Sequence, residues 1–160
     1  DLRDNPGGLL DSVCDVLRKI LPEGLIVYTE DKDGNREEEK CDGKNELRIP
    51  LAVLVNESSA SASEIFAGAV QDYGIGTIVG TTTYGKGVVQ SIRQLSDGSA
   101  IKLTVANYYT PKGNNINKTG IKPDIEVSLD TRLLNKNKDE ITHEEDNQLQ
   151  EAIKAVEKEK

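Results

Sequence analysis

Apolar positions along the chain fall into short blocks that switch between helical and extended spacing. Leu9, Val13, Val16 and Ile20 form one row at helical spacing, with Leu10, Cys14, Leu17 and Leu21 beside it. This predicts a helix over residues 9–21, ended by Pro22 and Gly24. Residues 25–29 are apolar and β-branched and read as a strand. Asp31-Lys32-Asp33-Gly34-Asn35 is a turn, from which residues 36–41 return as a charged strand. Residues 49–55 are nearly all apolar, as in a strand buried on both faces. A helix follows over 61–72, with Ile65, Phe66, Ala69 and Val70 facing inward and Gly74 as its stop.

The second half repeats the alternation with shorter pieces. Residues 77–80 are a strand, and 88–95 and 100–109 are two strands joined at Ser96-Asp97-Gly98-Ser99. Residues 111–124, rich in Gly, Pro, Asn and Lys, read as a loop before a small strand at 125–127. Thr142-x-x-Glu145 has the form of a capping box. It predicts a last helix to about residue 158, striped by Leu149, Ile153 and Val156.

Charge narrows the partners. With 28 acidic and 20 basic residues the net charge is -8, and no basic stripe offers a footprint for nucleic acid. No apolar run is long enough to span a bilayer. Cys14 falls on the apolar face of the first helix and Cys41 in a charged loop. Neither has a neighbour at metal-ligand spacing, so both read as unpaired thiols and no metal or cofactor is expected. The chain has no methionine and opens on Asp1-Leu2-Arg3-Asp4-Asn5-Pro6-Gly7-Gly8. Such a turn is expected to follow a buried strand, so the chain reads as a piece of a longer protein.

Two positions suggest chemistry. Ser61 sits where small residues end an apolar strand and open a helix, and Lys86 lies between Gly85 and Gly87. A serine on a tight strand-to-helix turn and a lysine on a glycine-flanked turn fit nucleophile and general base. Ser61-x-x-Glu64 also fits a helix capping box. Against a purely capping role, Ala60 and Ala62 leave the hydroxyl unobstructed, and a helix N-terminus favours developing negative charge. His143, the one histidine, lies in a charged stretch, which argues against a Ser-His-Asp enzyme. Gly80-Thr81-Thr82-Thr83-Tyr84-Gly85-Lys86 begins like a phosphate-binding loop. Gly87 then stands where Ser or Thr must hold magnesium, and a strand follows where a helix is required. Gly7-Gly8 reads as a turn or as an oxyanion donor, since glycine lets the backbone approach a carbonyl.

Four segments in order resemble the C-terminal processing peptidases, or tail-specific proteases: Asp1 to Gly8, Ser59-Ala60-Ser61-Ala62-Ser63-Glu64-Ile65, Tyr84-Gly85-Lys86-Gly87-x-x-Gln90, and Gly120-Ile121-Lys122-Pro123-Asp124. The resemblance runs to about Leu129. It implies that Ser61 is the nucleophile, that Lys86 is the base and that Gln90 positions the lysine amine. It implies an oxyanion hole made by the backbone N–H groups of Gly8 and Ala62.

The fold it implies is α/β, a Clp protease/crotonase-like core with a mixed β-sheet flanked by helices, incomplete at its N-terminus. Residues 1–130 are then the C-terminal part of the peptidase core, and 131–160 a charged tail with an amphipathic helix. A PDZ domain and the upstream core lie outside the chain. The implied activity is an ATP-independent serine endopeptidase cleaving protein or peptide substrates near accessible C-termini. The alternative is a catalytically inactive peptide-binding scaffold of the same fold. By resemblance alone the location is extracytoplasmic, in a bacterial periplasm or cell envelope. The resemblance also leaves room for a membrane-associated parent and a homo-oligomer, and the isolated stretch is expected to be inactive.

Overall fold

In the computed structural model, residues 1–137 and 140–158 are described. Helix α1 spans Leu10–Leu17, strands β1 and β2 Glu23–Asp31 and Arg36–Asp42, and strand β3 Ala52–Val55. Helix α2 covers Ala62–Tyr73 and strand β4 Thr77–Gly80. Strands β5, β6 and β7 cover Val88–Gln94, Ala100–Tyr109 and Ile125–Glu126. A 3₁₀ turn at Thr131–Leu133 precedes helix α3, Asn147–Lys158.

Parallel and antiparallel pairing are both present, sorted into two sheets. The antiparallel sheet has the order β2-β1-β6-β5, and the parallel sheet the order β3-β4-β7. In the parallel sheet Val55 pairs with Gly80 and Val79 with Ile125. Val53, Leu54 and Val55 are all buried, as their unbroken apolar run requires. Helix α2 is buried on most of its circumference, from Ala62 through Val70, with only Phe66 part-exposed in that run. Gly68 permits this depth, since a Cβ there would lie 2.9 Å from Thr110 Cγ2. On α1 the inner row is Val13, Cys14 and Leu17.

The structure adjusts several sequence expectations. The first helix ends at Leu17 rather than 21. Turn bonds from Lys19 N–H to Val16 and from Ile20 N–H to Leu17 finish it short of Pro22. Cys41 is not in a loop but on β2, buried, with its Sγ 3.4 Å from the Leu21 carbonyl. Both thiols are free and buried. Helix α3 is capped by Asp146, whose Oδ1 accepts the Leu149 N–H at 3.0 Å, and not by Thr142. Thr142 and Glu145 meet one turn earlier at 3.4 Å. Helix α3 lies against β3 and β4, with Ala152 and Leu149 packed on Leu54 and Val79.

The opening arm, residues 1–8, runs beside β3: Leu2 N–H donates to the Leu54 carbonyl at 2.8 Å. The side chain of Asn56, just past β3, accepts the Asp4 N–H at 2.9 Å.

Candidate active site

Ser61 stands between β3 and α2 with φ 56° and ψ -116°, a conformation that a non-glycine residue rarely adopts. Such strain costs about 1–3 kcal/mol and persists only where the surroundings enforce it. Two devices enforce it here. Glu64 Oε2 accepts the Ser61 N–H at 3.0 Å, the half of the capping box that has hydrogen-bond length. The arm also packs on the turn, because Gly7 comes so close that a Cβ there would be 2.4 Å from the Ala60 carbonyl oxygen.

Three serines of the run take different roles. Ser59 Oγ donates to the Leu2 carbonyl at 2.7 Å, and Ser63 Oγ to the Asn5 carbonyl at 3.1 Å. Both are buried and serve to bind the arm. Ser61 is half-exposed and its hydroxyl makes no cap hydrogen bond. Beside it, among the described residues, neither the Gly8 N–H nor the Ala62 N–H has an acceptor. Ala62 N lies 2.8 Å from where a Gly7 Cβ would be, so the nucleophile turn and the glycine pair are in direct contact. A helix N-terminus and the glycine pair of the arm thus bring free donors to the serine turn.

Lys86 lies in the loop between β4 and β5, its side chain exposed. That loop is fixed from two sides. Glu64, wholly buried, accepts from Thr83 Oγ1 at 2.5 Å, Gly85 N–H at 2.7 Å and Lys86 N–H at 2.8 Å. The Gly120-Ile121 loop supplies the other side. Lys118 N–H donates to the Gly85 carbonyl at 2.8 Å and Ile121 N–H to Thr83 Oγ1 at 2.7 Å. Gly87 admits this loop, since a Cβ there would be 2.3 Å from Asn117 N. Gln90 is exposed on β5, opposite Thr104, where the pairing with β6 shifts register. A bulge at that point re-aims the side chains that follow Lys86.

The arrangement therefore places Ser61, Gly8 and Ala62 together and ties the Lys86 loop to them through Glu64. His143 is exposed and lines a different cleft of ≈ 650 Å³, with Arg3 and Lys136. An open pocket of ≈ 270 Å³ lies directly at the free amides, lined by Gly8, Leu9, Val13, Val16, Ala62 and Phe66. Sequence reasoning took Glu64 only as a capping residue. Its signal was a carboxylate followed by Ile65 and Phe66 on a helix with little exposed surface.

The chain belongs to peptidase family S41, whose model matches residues 1–127. It is 52% identical over 124 residues to a carboxyl-terminal-processing protease of Synechocystis, covering 78% of this chain and 29% of that protein. A chloroplastic C-terminal processing peptidase of Tetradesmus obliquus is 44% identical over 135 residues, covering 84% of this chain and 29% of that one. A solved photosystem II D1 C-terminal processing protease superposes with a TM-score of 0.76 at 43% identity, covering 80% of this chain and 33% of that structure. The chain thus spans about three-tenths of the length of the relatives it matches. The α/β core with sheets flanked by helices agrees with that structure.

Proposed function

We propose that this stretch carries the nucleophile, base and oxyanion hole of an ATP-independent serine endopeptidase that cuts protein substrates near accessible C-termini. Ser61 Oγ attacks the scissile carbonyl while its proton passes to a neutral Lys86 Nζ. The Gly8 and Ala62 N–H groups receive the oxyanion. Collapse breaks the C–N bond, and Lys86 returns the proton to the departing amine. Water then repeats the sequence on the acyl-enzyme. Gln90 orients the lysine amine. The strained Ser61, whose hydroxyl makes no cap hydrogen bond and which sits against the Gly7-Gly8 pair and its own helix start, is the observation that carries this reading.

The apolar pocket at those amides suits an apolar substrate side chain next to the cleaved bond. Substrates are proteins or peptides, as the processing activity in the relatives' names implies. We assign residues 1–130 to the peptidase core and 131–160 to a charged tail ending in an amphipathic helix. By likeness to bacterial and chloroplastic relatives, the location is extracytoplasmic. An active-site-directed fluorophosphonate tests the assignment. Modification of Ser61, with Ser59 and Ser63 untouched and Ser61→Ala unreactive, is expected. Labelling elsewhere refutes it.

One observation favours a second reading. Lys86 is exposed, with its side chain open to water rather than enclosed beside the serine. The stretch by itself would then bind peptides without cutting them. On this reading, substrate or further chain must close over the lysine before the site turns over. Peptide binding without turnover by the 160-residue chain supports this reading for the isolated stretch, and turnover by it excludes it.

A further inference from the structure

We propose that Asp146 and Gln148, at the start of α3, are positioning residues that hold the 1–8 arm and with it the Gly8 amide. This rests on the peptidase reading above, and it assigns a role to a segment outside the family match of 1–127.

The link is a single guanidinium. Arg3 donates from Nη1 to Asp146 Oδ1 and to Gln148 Oε1, both at 3.0 Å, and from Nη2 to Asp146 Oδ2 at 2.7 Å. Asp1 accepts the same group at 2.8 Å on its more exposed side. Asp146 and Gln148 are 6% and 2% exposed, so these bonds are made largely out of water. A bidentate arginine–carboxylate pair in that setting fixes direction as well as distance.

Each partner is anchored in turn. Asp146 caps α3 through the Leu149 N–H, and Gln148 Nε2 donates to the Val127 carbonyl at 2.8 Å, just past β7. Helix α3 rests on Leu54, whose carbonyl is the one that receives the Leu2 N–H. The arm is thereby held from both sides at residues 2 and 3. From there it is carried to the site by Asn5, whose carbonyl takes the Ala60 N–H and the Ser63 hydroxyl, each at 3.1 Å. Asn5 Oδ1 accepts the Gly7 N–H at 2.9 Å, and Gly8 follows. A slack Arg3 would loosen the arm along its length, and an oxyanion donor tolerates little displacement.

A plain capping role for Asp146 makes a different forecast, and Asp146→Asn separates the two. Asparagine caps a helix about as well as aspartate but cannot form the ion pair. In the native protein we expect Asp146→Asn to lower kcat about tenfold with KM within about twofold, the pattern of an interaction felt only in the transition state. Affinity for a peptide aldehyde, which needs the oxyanion hole, should fall by the same factor. Amide exchange in residues 1–8 should quicken.

Unchanged kcat and unchanged exchange would overturn the proposal. So would a loss confined to KM. If the native protein hydrolyses no peptide, the peptidase reading fails on its own. Exchange in residues 1–8 of Asp146→Asn then decides whether the clamp holds the arm.

Discussion

Ser61 and Lys86 depend on one carboxylate oxygen. Glu64 Oε2 accepts the backbone N–H of each, at 3.0 and 2.8 Å, while Oε1 takes Thr83 and Gly85. The residues expected to act as nucleophile and base lie 25 positions apart in sequence and on different loops. What holds their backbones in mutual register is the side chain of a third residue inside α2. Glu64→Gln is nearly isosteric, yet it replaces one acceptor oxygen by an NH₂ that must face donors. We expect a loss of about 2–3 kcal/mol, the cost of leaving buried donors unsatisfied, together with a fall in kcat. Urea unfolding and peptidase assays on the native protein check both. An unaltered midpoint would show that the strut is dispensable.

Substitution at Lys86 itself separates chemistry from scaffolding. Its backbone N–H, not its side chain, is the group bonded to Glu64, so Lys86→Ala and Lys86→Arg should both fold as the native protein does. Both should be inactive, arginine because its guanidinium cannot shed a proton. Gln90→Ala should lose far less, since it removes an orienting bond of about 1 kcal/mol. Substantial turnover by Lys86→Arg would eliminate lysine as the base.

How much of this could be read from the chain depended on the range of the interaction. Strand β6 was legible to the residue, because turn chemistry at Asp97-Gly98 and an apolar–polar alternation are both local. The end of α1 and the start of α3 were misplaced, because Pro22 and Thr142 offered stop and start signals that turn bonds and Asp146 pre-empted. Cys41 looked solvated among Glu37, Glu38, Glu39 and Lys40. The pleat of β2 turns it inward while Lys40 and Asp42 on either side face out. Ser61, Gly8 and Ala62 were named from motifs, yet the reason they converge was not visible. It lies in long-range partners such as Glu64 with Lys86, Ser63 with Asn5, and Arg3 with Asp146.

The two glycines of the arm should respond oppositely to alanine. At Gly7, with φ +93°, a Cβ would sit 2.4 Å from the Ala60 oxygen and 2.8 Å from Ala62 N. Gly7→Ala must push the arm off the nucleophile turn. We expect a loss of at least about 1–3 kcal/mol from the backbone strain alone, and about a hundredfold in kcat from the displaced donor. Gly8 has nothing within 4 Å of its Cβ position and needs no positive φ. Gly8→Ala should melt as the native protein does and keep its N–H in place. Equal melting temperatures for both variants would contradict the packing described here.

Alkaline pH should weaken the fold through Cys14. Burial, reinforced by the charge of Glu39, pushes its thiol up from 9.0 to about 11. The unfolded chain therefore releases this proton near pH 9, while the folded protein keeps it until about 11. Between those values the folded state binds more protons, so stability falls as pH rises through the window and is unaffected below it. Tyr108 acts in the same direction, its hydroxyl raised by burial and then by the Cys14 charge. Unfolding by urea at pH 7, 9 and 10.5 should show a declining midpoint in the native protein. Cys14→Ala removes the thiol's share, so its midpoint should decline less steeply, though it starts lower for the cavity left beneath α1. Parallel declines in the two proteins would mean that Cys14 titrates alike in both states, and that its burial on α1 has no proton-linked effect on stability.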